Sequence, residues 1–99
     1  MVSDPEVFGG FLLIRRIAES SMAGVYLAVR LGDASGRSLV LKRPPLGERA
    51  SGRAAQAILR EAEVLAAVRG AGKPALEATG DIAGLPYVAL ERLRGVSLA

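Results

Sequence analysis

The sequence contains no cysteine and no histidine, and each absence excludes a class of chemistry. Without cysteine the chain forms no disulfide, and without either residue it builds no Cys/His zinc site. The lack of histidine also excludes Ser-His and Cys-His catalytic dyads. Aromatic residues are scarce, at 4% of the chain, and small or aliphatic residues supply most of the hydrophobic 51%. This composition is typical of a small folded domain with a modest core.

The chain also lacks a strong excess of charge and a long hydrophobic run. Its formal net charge of +3 is spread along the sequence, so we expect a solvated surface and no nucleic-acid partner. The longest strongly apolar run, residues 11–14, is far too short to span a bilayer. The first residues have no basic start and no apolar centre, unlike a signal peptide. We therefore expect a cytoplasmic protein that does not bind membranes.

Strand patterns and turn residues alternate along most of the chain. Pro5 and the Gly9-Gly10 pair interrupt regular structure, so we expect a leader over residues 1–7 and one domain over residues 8–99. The predicted strands cover residues 11–17, 25–31, 38–43, 75–81 and 85–91.

One helix is predicted between the third and fourth strands. Ile58, Ala62 and Leu65 share one face at helical spacing, which predicts a helix over residues 53–69. The order of elements is thus three strands, one helix and two strands, and the short turns among the first three strands favour an antiparallel meander.

A lysine that ends the third strand and a glutamate inside the helix form the first candidate site. Glu61 lies three residues after Ile58 and four before Leu65, on the apolar face, where a carboxylate needs a cationic partner. Lys42 belongs to a strand that we expect to pack against the helix. Two outcomes are open: a Lys42–Glu61 ion pair, or a Glu61 side chain that reaches solvent and pairs with a neighbouring arginine.

The small-residue turn over residues 18–24 is the second candidate site. A strand, a small-residue turn and a further strand can cover a phosphate chain when backbone amides approach it closely. An ordinary hairpin fits the same residues, so the turn alone does not decide between the two.

Four segments, taken in order, carry a combined signal that none carries alone: residues 17–28, 39–42, 59–65 and 84–98. They resemble the glycine-rich loop with its following strand, the V-A-I-K motif, the helix around its glutamate, and the fifth strand with gatekeeper and hinge. Together they are similar to the N-terminal lobe of eukaryotic-like Ser/Thr protein kinases, which bacteria also carry. The resemblance covers residues 8–99 and implies an α+β fold, a five-stranded antiparallel sheet with one packed helix.

The resemblance also implies roles for individual residues. In that family the strand lysine contacts the α- and β-phosphates of ATP and is held by the helix glutamate, which implies these roles for Lys42 and Glu61. Val25 would lie on the adenine, Leu90 would be the gatekeeper, and the backbone of Glu91 to Leu93 would meet the adenine edge. From the residues alone, core packing explains Val25 and Leu90 equally well.

Two departures from the family pattern weaken the implied nucleotide site. The three positions of the G-x-G-x-x-G motif hold Ala18, Ser20 and Ala23, so the backbone approaches a phosphate less closely than glycine allows. Gly24 lies one position after the place of the third motif glycine, which Ala23 occupies. Val40 replaces the usual alanine, and we expect its extra methyl groups to crowd the adenine. We therefore expect weak or absent ATP binding, with Mg²⁺ entering only through the nucleotide and with no protein ligand for it in this chain.

Three interpretations of function follow. The leading one is a Ser/Thr kinase-like N-lobe with a degenerate ATP-binding half-site, inactive alone because the family's catalytic base and metal ligands belong to the C-lobe. The alternative is a pseudokinase-like module that acts through protein–protein contacts without nucleotide turnover. A third covers unrelated roles, including weak nucleic-acid binding. For the first two, we expect a C-lobe or another protein to cover the exposed underside of the sheet, and the isolated chain to self-associate.

Overall fold

The computed structural model describes residues 5–20, 23–45, 52–67 and 76–91. These residues form one helix, α1 (Gly52–Ala67), and six strands: β1 (Glu6–Phe8), β2 (Phe11–Glu19), β3 (Gly24–Arg30), β4 (Ser38–Arg43), β5 (Leu76–Ile82) and β6 (Leu85–Glu91). The strands make one antiparallel sheet in the order β1-β2-β3-β4-β6-β5. The predicted α+β fold is confirmed, but the predicted count of five strands is wrong.

The additional strand is β1, which begins inside the stretch predicted to be a leader. The Gly9-Gly10 pair interrupts regular structure, as predicted, and forms the turn that reverses the chain between β1 and β2, with Gly9 at a φ of 57°. As a result Phe8 pairs with Phe11, and Glu6 pairs with Leu13. A strand of three residues is too short to show an alternating pattern, which is why the sequence did not predict it.

The other elements lie close to their predicted positions. The strands predicted over residues 38–43 and 85–91 have those bounds in the structure, and the helix predicted over residues 53–69 runs from Gly52 to Ala67. The predicted turn over residues 18–24 is narrower, because β2 continues to Glu19 and β3 begins at Gly24.

Alternation of side chains along β4 separates two cores on opposite faces of the sheet. Leu39 and Leu41 belong to the first core, whose buried members are Phe8, Phe11, Leu13, Ala28, Leu39, Leu41 and Ala89. Val88, directly opposite Lys42 on β6, belongs to the second core, where Ile58 and Ala62 of α1 pack against the sheet. The helix therefore covers the face that carries Lys42.

The sheet curls, so that its first strand reaches the strands at its other side. The rings of Phe8 and Phe11 meet Tyr87 of β6 edge-on, with centroids 5.9 and 5.4 Å apart. Ile82 of β5 lies so close to Gly9 that a side chain there would collide with it. The short strand β1 thus helps to cover the first core.

Gly9→Ala tests this closure. Alanine would have to adopt a positive φ and would meet the Ile82 side chain, so we expect a loss of about 1–3 kcal/mol in the free energy of unfolding. Gly10→Ala is the matched control, because an added Cβ there meets nothing within 4 Å. Urea unfolding measures both, and an equal effect at the two positions would contradict the proximity of the Gly9 turn to β5.

Candidate functional site

Lys42 is held in the middle of the sheet, one residue before β4 ends. It pairs with Val25 of β3 on one side and with Val88 of β6 on the other. It is the last residue of β4 that both neighbouring strands pair with, since Arg43 pairs only with Gly24 of β3. Ladder pairing on both sides fixes the backbone from which the Lys42 side chain projects.

Glu61 reaches Lys42 because α1 packs on the strand beside it. Ile58 and Ala62, on either side of Glu61 along the helix, are buried against Val88. The Nζ atom of Lys42 donates a hydrogen bond to Oε2 of Glu61 at 2.7 Å. Of the two outcomes open from the sequence, the structure shows the ion pair between sheet and helix.

The pair is neither fully buried nor free in water. The Lys42 and Glu61 side chains keep 29% and 33% of their surface exposed. A charge-assisted hydrogen bond of this length, partly screened from solvent, is stronger than a bond between neutral groups. The Lys42 ammonium has three N–H donors, and Glu61 takes one of them, so the cation can still donate to another anion.

Polar groups of the loop between β2 and β3 form hydrogen bonds with each other. The Ser20 N–H donates to the Ala23 carbonyl oxygen at 2.8 Å, and the Ala23 N–H donates to Ser20 Oγ at 3.2 Å. Ala18 lies before the loop, in β2, paired with Val25. Two amides in the segment predicted to face phosphate are therefore engaged within the loop itself.

Three of the residues predicted to face adenine, Val25, Val40 and Leu90, share the side of the sheet that carries Lys42. Val25 is opposite Lys42, and Val40 is opposite Leu90. Val40 and Leu90 are each only 5% exposed, while Val25 is half-buried. Glu91 ends β6 opposite Leu39, and the predicted contact residue Leu93 lies outside the described residues.

A second charged cluster, which the sequence did not predict, occupies the opposite face of β4. Arg43 is only 1% exposed and donates two hydrogen bonds to the Glu6 carboxylate, at 2.8 and 2.9 Å. It also donates to the Tyr26 hydroxyl at 3.1 Å. Its guanidinium carbon lies 4.7 Å from the ring centre of Phe8 and 4.5 Å from that of Tyr26. We call these four residues the Arg43 cluster.

The electrostatics of the Arg43 cluster favour the charged forms of both partners. The hydrogen bonds from Arg43 hold the pKa of the Glu6 carboxyl below its ordinary value. Burial alone would lower the pKa of Arg43, but hydrogen bonds to Glu6 and Tyr26 outweigh it and raise the pKa of the guanidinium. Nε of Arg43 is buried without a hydrogen-bond partner in the described part of the chain. The only sequence signal for this cluster is an arginine at an inward position of β4, after Leu39 and Leu41.

Residues 24–99 match the phosphotransferase enzyme family (APH), and the chain belongs to that family. Of solved structures, the kinase domain of Mycobacterium tuberculosis PknI is similar, with a TM-score of 0.65 and 22% sequence identity. Two double mutants of that domain give TM-scores of 0.68 and 0.67 at the same identity. None of the curated proteins compared with the sequence matches it.

The structural matches cover 97% of this chain and only 37–38% of the PknI kinase-domain chains. At this level of identity they show the fold, and the fold is that of a kinase N-lobe, as predicted. No helix in the described ranges has both the length and the apolar character to cross a membrane. Across those ranges, no three His, Cys, Asp or Glu side chains come together as metal ligands would.

The pH dependence of stability tests the Arg43 cluster through Glu6→Gln. At neutral pH we expect the variant to lose about 1–3 kcal/mol of unfolding free energy, because the buried Arg43 loses its counter-charge. Since the pKa of Glu6 is lowered in the folded chain, its contribution is complete above 4.5, its ordinary value, and disappears as pH falls through the folded pKa.

Urea unfolding of the wild type and of Glu6→Gln, at pH values from neutral to below 4.5, measures the effect. The difference between wild type and variant should narrow as the pH falls below 4.5. A difference that stays constant with pH would show that the Glu6 charge is not what Arg43 depends on.

Proposed function

We propose that the chain is a Ser/Thr kinase-like N-lobe that carries a degenerate half-site for ATP and transfers no phosphate by itself. The observation that carries the proposal is the 2.7 Å ion pair between Lys42 and Glu61, set across sheet and helix in a member of a phosphotransferase family. Such a pair presents an oriented cation to a phosphate chain.

In this proposal each group of the half-site has one task. Glu61 orients Lys42, whose remaining N–H donors meet the α- and β-phosphate oxygens. Val25 and Leu90 lie on the same side of the sheet and would contact the adenine. The backbone of Glu91 and Leu93 would meet the adenine edge. Mg²⁺ would enter with the nucleotide, held by its phosphates.

Two features of the structure support weak nucleotide binding. The amides of Ser20 and Ala23 could bind phosphate only after the two hydrogen bonds between these residues break. Each of these bonds stabilises the loop by about 0.5–1.5 kcal/mol. Val40 and Leu90 are already covered, so adenine would have to displace what packs on them.

The chain spans 37–38% of the length of the PknI kinase-domain chains that it resembles. In protein kinases the catalytic base and the metal-binding residues belong to the C-terminal lobe, so these 99 residues lack them. We propose that a C-lobe or another protein covers the underside of the sheet, and that the isolated chain otherwise self-associates there.

A pseudokinase-like module is the second candidate function. It is favoured by the loop between β2 and β3, in which the backbone amides of Ser20 and Ala23 already donate hydrogen bonds within the loop. On this view the fold serves protein–protein contact and nucleotide never turns over. The two candidates differ in whether the half-site regains nucleotide affinity once the loop is opened.

Restoring the loop glycines separates these candidates in a thermal-shift titration with Mg-ATP. For the wild type we expect a weak or absent shift. For the triple variant A18G/S20G/A23G we expect binding at least about tenfold tighter, because a freed amide can make a charge-assisted bond to phosphate. Adding Lys42→Ala to the triple variant should abolish the gain.

A strong, saturable shift in the wild type that Lys42→Ala abolishes would show that the site is not degenerate. A triple variant that folds and still binds no ATP would refute the half-site and leave the pseudokinase-like module. Ala34→Gly is the matched control for glycine content, since it adds a glycine in the exposed turn between β3 and β4, away from the loop.

A further inference from the structure

We infer that Glu6 and Arg43 are positioning residues for Lys42: the Arg43 cluster anchors the end of β4 on one face so that Lys42 meets Glu61 on the other. The inference deepens the proposed function, because Lys42 is the group that the half-site depends on. It concerns the placement of the lysine, however, and is tested without nucleotide.

The ladder of β4 weakens immediately after Lys42. On the β6 side, pairing ends at Lys42 with Val88, and on the β3 side it extends one residue further, to Arg43 with Gly24. The next residues are Pro44 and Pro45, which have no N–H to donate. Backbone pairing alone therefore fixes one side of the lysine-bearing end of β4 better than the other.

The Arg43 side chain supplies the missing restraint. It is fully buried, its two terminal nitrogens bond to both Glu6 oxygens, and its guanidinium carbon lies near the ring centres of Phe8 and Tyr26, at 4.7 and 4.5 Å. A fork-to-fork pair fixes orientation as well as distance, which a single contact does not. Through it β4 is tied to β1, which is not its neighbour in the sheet.

Lys42 and Arg43 are adjacent in a strand, so their side chains point to opposite faces and share one peptide unit. A shift of β4 that releases Arg43 also displaces the Cα atom of Lys42. The Lys42–Glu61 hydrogen bond is 2.7 Å long and lies at a partly exposed site, where water can replace either partner. Loss of the anchor should therefore open this ion pair before it unfolds the domain.

The acylation rate of Lys42 can be measured separately, since the sequence contains only two lysines, Lys42 and Lys73. An amine-acylating reagent such as an N-hydroxysuccinimide ester of acetate modifies a lysine more slowly when an ion pair holds its ammonium group. The rate at Lys42, divided by the rate at Lys73 in the same sample, is read by mass spectrometry. Glu61→Gln sets the rate for an unpaired Lys42.

We expect Glu6→Gln to raise the relative acylation rate of Lys42 by about fivefold, close to the rate in Glu61→Gln. Glu77→Gln is the matched control, because Glu77 also pairs with an arginine, Arg37, at 2.8 Å but on β5. It should leave the ratio unchanged. Glu6→Asp, which keeps the charge, should restore part of the protection.

Leu85→Ala controls for general loss of stability, since Leu85 packs against the first core from β6, where it pairs with Ile82 and not with a member of the Arg43 cluster. It should lower the unfolding free energy and leave the ratio near the wild-type value. If Glu6→Gln does not fold, Tyr26→Phe decides instead, because it removes one acceptor from Arg43, and we expect about a twofold rise.

A folded Glu6→Gln variant that protects Lys42 as well as the wild type, while Glu61→Gln does not, would overturn the inference. So would an equal rise in Leu85→Ala. A folded triple variant A18G/S20G/A23G that binds no ATP would refute the half-site and leave this result unaffected, which keeps the two failures distinct.

Discussion

The structure depends on the alternation of side chains at the end of β4. Lys42 points to the face covered by α1, and Arg43 points into the first core, so two adjacent residues tie the strand to different parts of the molecule. Lys42, on the helix side, pairs with Glu61, and Arg43, in the first core, pairs with Glu6. Each is placed where a carboxylate balances its charge, which a buried or half-buried cation requires.

The two ion pairs differ in exposure and therefore in kind. Arg43 is buried and held by several directional contacts, which suits a fixed structural joint. Lys42 and Glu61 keep about a third of their surface exposed, which suits a contact that a ligand can join or replace. In the proposed half-site, a rigid joint beside an accessible cation would order that cation before a nucleotide binds, which would lower the entropic cost of binding.

Much of the fold followed from the sequence, because the period of the apolar residues changes from two to 3.6 and back. The bounds of β4 and β6 were predicted as they stand, and so was the helix face around Ile58 and Ala62. The Lys42–Glu61 pair was one of two outcomes, and the resemblance to protein kinases favoured it. Membership in a phosphotransferase family and the kinase N-lobe fold agree with that resemblance.

The rest could not be read from local pattern. Strand β1 has three residues, and its pairing depends on a positive φ at Gly9 that the sequence allows but does not require. Glu6 and Arg43 are 37 residues apart and meet only because the sheet curls. The hydrogen bond from the Ala23 N–H to Ser20 Oγ depends on the orientation of the Ser20 side chain, which local sequence pattern does not determine. The contacts that were missed are those between elements distant in sequence, or between atoms within one loop.

The central claim is that Lys42 and Glu61 form one interaction that joins sheet and helix, and a double-mutant cycle measures it most directly. Unfolding free energies of the wild type, Lys42→Met, Glu61→Gln and the double variant close the cycle. The account predicts a coupling free energy of about 1 kcal/mol, with the double variant less destabilised than the sum of the single ones. Additive effects, with no coupling between the two positions, would contradict it.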